Sequence, residues 1–327
     1  MSNSILAPDY QLLINGTDIS PKVRPRLISL TLNEEGGETA DSLNITLDDS
    51  DTRLAIPDLD ATISLKLGYK NQALVDKGEF IFDTINYSAA PNQLVISAHS
   101  AAIETALKKR KDYSWHSTKL GAVLRAVAAR NNLDTRIDAD LANIAYPSVH
   151  QQNESDLALV QRLAHEHDAT GTIKKGLLIF IPRGSKMTAT GKALPTASIA
   201  LNQSTNYQYT IERVEAGAVE AKWHSKKGAR YHVVKFGEGT AVRRLSHCFG
   251  SADAAMQAAK AEFNNRNRGS FKLSVSIASG RPDLFVGQPV KTTGFKSGID
   301  EKDWIITKAT HNLQSGLLTN IDLEVAA

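Results

Sequence analysis

The chain has 327 residues, of which 42% are hydrophobic and 22% are charged, so its apolar content suffices for buried cores in two or three domains. The formal net charge of +3, from 38 Lys and Arg against 35 Asp and Glu, argues against a dedicated nucleic-acid-binding protein. Cys248 is the single cysteine, which excludes an intrachain disulfide and fits folding in a cytoplasmic environment. Residues 1–7 lack the pattern of a secretion signal, and no apolar run approaches the roughly 18 residues of a membrane-spanning helix, so we expect no direct membrane insertion.

Short runs of alternating apolar and polar residues fill the N-terminal part of the chain, between turn signals such as Asn15-Gly16 and Gly36-Gly37. The runs lie at residues 10–14, 27–32, 43–47, 63–67 and 80–85. Alternation lets one face of each strand be buried while the other face contacts water. Because many short strands at this spacing favour a barrel or a sandwich, we predict a first β-barrel over residues 1–100.

The periodicity changes after residue 101, where helical spacing appears. The apolar residues of the first predicted helix are Leu120, Val123, Leu124 and Val127, at i, i+3, i+4 and i+7. Ser117 or Thr118 is the predicted N-terminal cap, and Asn131-Asn132 marks the predicted end.

A second helix is predicted to begin near residues 153–155 and to end before Gly171. Its predicted buried residues are Leu157, Val160, Leu163 and Ala164. Residues 172–181 have the pattern of a β-hairpin stopped by Pro182. We therefore predict a small α/β middle domain over residues 101–205, whose weakly periodic last part, from Gly184 onward, is a linker or exposed loop.

The β pattern returns after this linker, with strands predicted at residues 207–211, 218–223 and 231–236. One helix interrupts them, with Ser251 as its predicted cap. Met256, Ala259 and Phe263 line one predicted side of this helix, and Arg266 and Arg268 lie near its C-terminal end, where the helix dipole favours cations. We predict a second β-barrel over residues 206–327 that includes the helix.

A gapped internal similarity relates residues 65–98 to residues 290–325. Each segment contains a Gly-aromatic-Lys step, then a strand led by an aromatic residue, Phe80 or Trp304, and then a closing alternating strand. The shared order indicates a duplicated β-domain, although similar strand patterns also arise by chance. The predicted fold is therefore mainly β with an α+β insert, in which two related β-barrel domains flank a small α/β domain.

Two clusters of chemically active residues fail the spacing tests for known sites. His165-Glu166-His167-Asp168 places its histidines two residues apart, whereas the zinc-binding helix motif needs them four apart, so capping or packing roles are favoured. Residues 184–192 contain a Gly-Lys pair, but Ala193 follows it where a phosphate-binding loop requires Ser or Thr. Neither cluster predicts a binding site.

Three further clusters have simple structural interpretations. His247-Cys248 lacks a third group that would orient the base, so Cys248 is predicted to be a small buried apolar residue. Asp48-Asp49-Ser50-Asp51 lacks the glycine and the distal glutamate of a calcium loop and is predicted to be an acidic turn. Lys108-Lys109-Arg110-Lys111 is predicted to be a solvated face. We therefore predict no catalytic, cofactor-binding or metal-binding residues, no cofactor and no enzymatic activity.

Segments along nearly the whole chain resemble the phage late control gene D protein family. In the first part these are residues 25–32, 41–51 and 74–80, and in the middle they are residues 114–116, 120–121, 154–157 and 162–164. Near the C-terminus the similarity lies in Val286-Gly287-Gln288-Pro289-Val290 and Trp304-Ile305-Ile306. The shared order of these segments is more specific than any one short motif.

The resemblance implies a structural baseplate hub of a contractile phage tail, a tail-like bacteriocin or another contractile injection system, related to the hub region of VgrG-type spikes. In that family a homotrimer with two barrels per subunit forms a pseudo-sixfold ring, which adapts the sixfold tail tube to the threefold central spike. The implied partners are further copies of the chain, the central spike, the tail tube, the tape-measure protein and other baseplate proteins, without specific nucleic acid. The implied location is the baseplate of a virion or tail-like particle, after assembly in the bacterial host cytoplasm.

Two other functions remain as alternatives. Some related hubs carry a lytic domain, so the chain is alternatively a hub-associated peptidoglycan-degrading enzyme, although no paired carboxylates stand out as an acid and a nucleophile. The family name suggests a DNA-binding late regulator, but no helix-turn-helix signal or basic recognition helix is evident.

Overall fold

The computed structural model describes residues 7–36, 40–59, 61–100, 105–174, 176–186, 192–213, 217–225 and 230–326. The strands are β1 (Pro8–Ile14), β2 (Thr17–Asp18), β3 (Leu27–Glu35), β4 (Ser42–Asp48), β5 (Thr62–Tyr69), β6 (Val75–Ser88), β7 (Gln93–Ser100), β8 (Arg110–Lys119), β9 (Asp134–Ile137), β10 (Ala145–Ser155), β11 (Ala169–Lys174), β12 (Leu177–Pro182), β13 (Ala197–Ala200), β14 (Thr205–Ile211), β15 (Ala218–Ser225), β16 (Arg230–Gly237), β17 (Val242–Phe249), β18 (Phe271–Ile277), β19 (Pro289–Thr293), β20 (Trp304–Leu313) and β21 (Leu317–Val325). The helices are α1 (Ser20–Val23), α2 (Thr105–Lys108), α3 (Leu120–Arg130), α4 (Ala139–Ala142), α5 (Asp156–Glu166), α6 (Ala252–Gly269) and α7 (Ser297–Asp300). Strands dominate, so the predicted mainly β fold is confirmed; none of the helices described here combines the length and apolarity needed to cross a membrane.

The residues fall into two compact units that are not continuous in sequence. Unit 1 comprises Met1–Ile103, Thr196–Gln208 and Leu273–Leu323, and unit 2 comprises Glu104–Pro195, Tyr209–Lys272 and Glu324–Ala327. These boundaries differ from the predicted division at residues 100 and 205, because the C-terminal strands join the N-terminal ones in unit 1. Strand pairing between distant segments leaves no local sequence pattern, so domain boundaries that are predicted from local changes in composition do not detect such pairing.

Unit 1 is organised by a sheet with the hydrogen-bonded order β14-β18-β21-β20-β3-β4-β7-β6-β5-β1-β2, to which β19 and β13 attach through β20. The connection between the first and last parts of the chain is the antiparallel pair β20 and β3, in which Leu313 lies opposite Leu30 and Thr310 opposite Asn33. Leu313 and Leu317 are buried in the same apolar core as the N-terminal strands. One core therefore unites the two ends of the chain.

The alternation that predicted the first strands also explains their burial. In β4, Leu43, Ile45 and Leu47 are buried while the residues between them are only partly covered. Leu43 and Ile45 lie opposite Leu32 and Leu30 of β3, which are fully buried. Because successive side chains point to opposite faces, this register gives the sheet one apolar face over the core and one more polar face.

The two similar segments have the same strand order. In the first, β6 lies between β5 and β7, and in the second, β20 lies between β19 and β21. The aromatic residues that lead the middle strands, Phe80 and Trp304, are both almost completely buried. The two segments thus share their strand pairing, while the duplication of a whole barrel remains a prediction.

Unit 2 contains three small sheets, with the orders β10-β8, β11-β12-β9 and β16-β15-β17. The predicted hairpin at residues 172–181 is confirmed as β11 and β12, and β9 adds to it in parallel. The predicted linker from Gly184 onward is wrong for its last part, because β13 is a strand of unit 1 that pairs in parallel with β19, residue 197 opposite residue 290. Residues 187–191 of that segment lie outside the described part of the chain.

The three longer predicted helices are confirmed, with corrections at their ends and faces. The residue at the N-cap of α3 is Lys119, because Ser117 and Thr118 belong to β8, so their predicted capping role is wrong. Ser155 caps α5 through the Ala158 N–H, and the helix buries Leu159 while Leu157 is only partly covered.

Helix α6 begins after its predicted cap, Ser251, which accepts a hydrogen bond from the Ala254 N–H. Ala255 and Ala259 of α6 are fully buried, whereas Met256 is exposed, so its predicted place on the packed side is wrong. Small side chains at this contact let the helix lie close to β15, which explains why alanines and not the larger methionine face the sheet.

Candidate functional sites

A β-bulge in β6 turns a lysine into the interior of unit 1. The register between β5 and β6 passes from Lys66 opposite Asp76 to Leu65 opposite Gly78, so Lys77 is the additional residue. Gly78 has a φ of +96°, a conformation that glycine adopts without the strain that other residues would suffer. Bulges commonly redirect one side chain, and here the Lys77 side chain is only 2% exposed.

The Lys77 ammonium is surrounded by polar partners from distant parts of the chain. Its Nζ donates to Glu34 Oε2 at 2.8 Å and to the Leu284 carbonyl oxygen at 3.1 Å, and lies 3.0 Å from His311 Nε2. On the other side of the imidazole, His311 Nδ1 lies 3.0 Å from Thr319 Oγ1. His311 Nε2 also lies 3.2 Å from Glu34 Oε2, so one tautomer of the imidazole accepts a hydrogen bond from Lys77 and the other donates one to Glu34. We call Glu34, Lys77, His311 and Thr319 the unit 1 cluster.

The charge state of the unit 1 cluster follows from burial and from its contacts. Burial opposes ionisation of Glu34, but the adjacent His311 and the charge of Lys77 outweigh it and lower the pKa of Glu34 to about 2. Burial, aided by the charge of Lys77, lowers the pKa of His311 below its ordinary value of 6.5. At neutral pH the cluster is therefore an ion pair between Glu34 and Lys77 beside a neutral imidazole. It fixes β3, β6, β20 and β21 to one another.

A second buried cluster lies in unit 2 around Asp156, the first residue of α5. The fully buried carboxylate accepts hydrogen bonds from Lys111 Nζ at 2.7 Å, Arg130 at 2.8 Å, Asn131 Nδ2 at 2.8 Å and Gln151 Nε2 at 2.9 Å. Burial raises the pKa of Asp156, but the hydrogen bonds from Lys111, Asn131 and Gln151 and the charge of Arg130 outweigh it and lower the pKa below its ordinary 3.8. These residues are called the unit 2 cluster.

The unit 2 cluster corrects one prediction. Lys111, the last residue of the basic run that begins at Lys108, is partly buried and paired with Asp156, so a solvated face is wrong for this residue. The cluster joins β8, α3, β10 and the start of α5, and the carboxylate also benefits from its position at a helix N-terminus. Its hydrogen bonds therefore connect four elements of the middle part of the chain.

The four residues of the predicted metal-like motif, His165 to Asp168, lie at and just after the C-terminal end of α5. His165 lies 3.9 Å from Glu262, Glu166 pairs with Arg162 at 3.1 Å, His167 contacts the Tyr146 hydroxyl, and Asp168 forms an ion pair with Arg268. The Tyr146 hydroxyl also donates to Glu166 Oε2 at 3.2 Å, so Glu166 and His167 share this partner, whereas His165 and Asp168 contact residues of α6. Arg268 is almost completely buried by this pairing, a contact that its place near a helix end did not predict.

Two other predicted features have opposite outcomes. The acidic turn is confirmed: Asp49 accepts hydrogen bonds from the N–H groups of Arg53 and Leu54, and Asp51 accepts two hydrogen bonds from Arg26.

Cys248 is exposed, so its predicted burial is wrong. Its neighbour Phe249 packs against the core under α6, and alternation along β17 turns the thiol to the opposite face.

The two units differ strongly in charge. Unit 1 has 12 Lys and Arg against 19 Asp and Glu, a formal net charge of −7, whereas unit 2 has 26 against 16, a formal net charge of +10. The total of +3 conceals this separation. A small net charge therefore does not exclude a basic surface on one unit, and the charge of the whole chain is a poor guide to its partners.

Comparisons with known proteins give one consistent relationship. The model of the family "Phage tail baseplate hub (GPD)" matches residues 82–317. A probable baseplate hub protein of Escherichia phage P2 is 34% identical over an alignment of 366 positions, which covers 99% of this chain and 95% of the phage protein.

Solved structures share the fold at low sequence identity. The 43 kDa tail protein of prophage MuSo2 from Shewanella oneidensis has a TM-score of 0.72 at 13% identity, with 97% of this chain and 98% of that chain covered. The c3393 protein of E. coli, described as a type VI secretion component with structural similarity to the T4 tail proteins gp27 and gp5, has a TM-score of 0.58 at 13% identity, with 92% and 74% covered.

Proposed function

This chain belongs to the phage tail baseplate hub (GPD) family, and from that premise we propose that three copies form a ring that adapts a sixfold tail tube to a threefold central spike. The chain is a baseplate hub and belongs to a virion or tail-like particle. The proposal concerns how such a hub resolves the mismatch between the symmetries of its neighbours.

The observation that supports the ring is the repeated strand order in unit 1. The triplets β5-β6-β7 and β19-β20-β21 have the same order, and each buries an aromatic residue at the start of its middle strand. Three copies of the chain would present six such triplets, enough to meet six tube subunits, while the ring itself keeps threefold symmetry for the spike.

The partners in this proposal are the central spike, the tail tube, the tape-measure protein and other baseplate proteins, assembled in the host cytoplasm. Support comes from the similarity to the E. coli type VI secretion component, which is described as similar to both gp27 and gp5 of the T4 tail. The fold is thus found in a component of the type VI secretion system.

The proposed role is structural and not enzymatic, in keeping with the relatives, which are named as hub proteins. Within the described residues, no group of three or more His, Cys, Asp or Glu side chains is arranged to hold a metal ion. We expect no clearing on a peptidoglycan zymogram. Clearing that one point substitution abolishes would favour the lytic alternative.

Native mass spectrometry of the purified chain, alone and with the spike protein of the same particle, tests the ring. We expect a species of three times the 35.5 kDa chain mass, and a larger complex that contains three copies of each protein when the spike is added. A lasting monomer that ignores the spike would contradict the proposed function.

A further inference from the structure

Strand β16 is an exposed edge of the three-stranded sheet in unit 2. It pairs antiparallel with β15, and in the described part of the chain no second strand pairs with its other side. All four residues from Arg230 to Val233 are exposed, so both faces of this part of the strand are accessible. An edge of this kind presents free backbone N–H and C=O groups to any extended segment that approaches it.

On one face of this sheet, helix α6 covers the central strand β15. Val219 and Ala221 of β15 are fully buried against α6. On the opposite side lies what we call the outer face, formed by Glu220, Lys222, His224, Tyr231, Val233 and Lys235. Tyr231 is 70% exposed and Val233 is 55% exposed. Such exposure is unusual for two large side chains that are neighbours on the same face of one strand.

The surroundings of the outer face are basic. Lys222, Lys235 and the edge residue Arg230 are exposed, and the carboxylate of the face, Glu220, already accepts a hydrogen bond from Arg244 at 3.0 Å. The whole unit has a formal net charge of +10. A segment that pairs with β16 is therefore favoured when it carries negative charge.

We propose that the β16 edge and the outer face bind an extended acidic segment of another protein by strand addition. The backbone of the segment pairs with β16, its apolar side chains cover Tyr231 and Val233, and its carboxylates meet Lys222 and Lys235. Strand β16 belongs to unit 2, whereas the proposed ring rests on strands of unit 1, so the inference holds whether or not the proposed ring forms.

Two other occupants fit the same surface less well. A nucleic acid would use the basic residues and the tyrosine ring, but it would leave the backbone groups of β16 and the aliphatic Val233 without matching partners. A second copy of this chain is acidic in unit 1, but the acidic strand β6, with Asp76, Glu79 and Asp83, already pairs on both sides with β5 and β7. An acidic segment from a different polypeptide remains the best match.

The test uses the full-length protein and a fluorescent octapeptide of alternating Glu and Val, with fluorescence anisotropy as the readout. We expect the peptide to bind, and the Tyr231→Glu and Lys222→Glu substitutions each to weaken the affinity about tenfold, the loss typical of an important interface residue. The matched controls Ile211→Glu and Arg125→Glu, at exposed positions of unit 2 on the other elements β14 and α3, should leave the affinity unchanged. Amide hydrogens of β16 should gain protection from exchange when the peptide is bound.

Several results would overturn the proposal. These are failure of the acidic peptide to bind, equal binding of a peptide with Lys in place of Glu, or equal losses in the control variants. Tighter binding of oligothymidylate that the same two substitutions abolish would assign the face to nucleic acid. Loss of self-association in the Tyr231→Glu variant would assign it to a second copy. Because all four variants change exposed residues, circular dichroism should show that each retains the fold.

Discussion

Each of the two buried clusters surrounds a buried carboxylate with polar partners, but the partners differ. In the unit 1 cluster, the carboxylate of Glu34 meets one cation, Lys77, beside a neutral His311, and the three residues are contributed by both ends of the chain. In the unit 2 cluster, Asp156 meets two cations and two amides, all within residues 111–156. The first cluster fixes long-range strand pairing, and the second fixes a local arrangement.

The clusters also differ in how their partners contact water. The Lys77 side chain is 2% exposed, whereas those of Lys111 and Arg130 are 28% and 27% exposed. A cation that already reaches solvent tolerates the loss of its carboxylate better than a carboxylate tolerates the loss of an enclosed cation. The unit 1 cluster should therefore be the more sensitive of the two to removal of one partner.

The largest effect is expected from Lys77→Met, which leaves the Glu34 carboxylate buried without its cation. Removing one partner of a buried ion pair typically costs about 3–5 kcal/mol of unfolding free energy. Urea denaturation should show this loss, while Lys66→Met, the same change at an exposed position of the neighbouring strand, should have little effect. If Lys77→Met and Lys66→Met denature at the same urea concentration, the ion pair does not stabilise unit 1.

A smaller loss is expected from Asp156→Asn in unit 2. The amide keeps one acceptor oxygen but turns an N–H group toward the donors of Lys111 and Arg130, so buried donors lose a partner at a cost of about 1–3 kcal/mol. Hydrogen exchange of α3 and α5 should report the loss. The exposed Asp134→Asn serves as the matched control, and equal exchange in both variants would show that the partners of Asp156 rearrange without cost.

Local features of the fold were accessible from the sequence, and long-range ones were not. The alternation of β4 and the spacing of α3 predicted both elements, because each pattern is complete within a few residues. The pairing of β20 with β3 and the proximity of His311 to Lys77 depend on residues more than two hundred positions apart. Gly78 inside a strand pattern is a sequence signal for a bulge, so the inward turn of β6 at Lys77 was in principle predictable.

The exposed position of Cys248 and the pairing of Lys111 with Asp156 illustrate a second limit. Both depend on which face of a strand is covered, and a strand with no clear alternation does not specify its buried face. The charge difference between the units could not be predicted either. The net charge of each unit can be calculated only when the discontinuous segments that form it are known.

The smallest effect, and the sharpest contrast between the clusters, is expected from pH. Folded His311 has a pKa below 6.5 and stays neutral, so the unfolded chain binds a proton that the folded chain does not, and unit 1 loses stability as the pH falls below 6.5. Glu34 contributes stability that is present above its ordinary pKa of 4.5 and is lost as the pH falls toward its folded pKa of about 2. The pKa of Asp156 is lowered from 3.8, so its contribution to unit 2 is lost only below that pH.

Between pH 6.5 and pH 5, unit 1 should therefore weaken while the unit 2 cluster does not change its charge. One titrating group changes the unfolding free energy by at most about 1.4 kcal/mol per pH unit. Hydrogen exchange of β3 and β20, compared with that of α3 and α5 at the two pH values, measures the difference directly. His311→Gln, which keeps an acceptor for Lys77 but cannot take up a proton, should remove the response of unit 1, whereas His99→Gln should not. A response that persists in His311→Gln would mean that another group in unit 1 binds the proton, and the imidazole would then be only a packing element beside the ion pair.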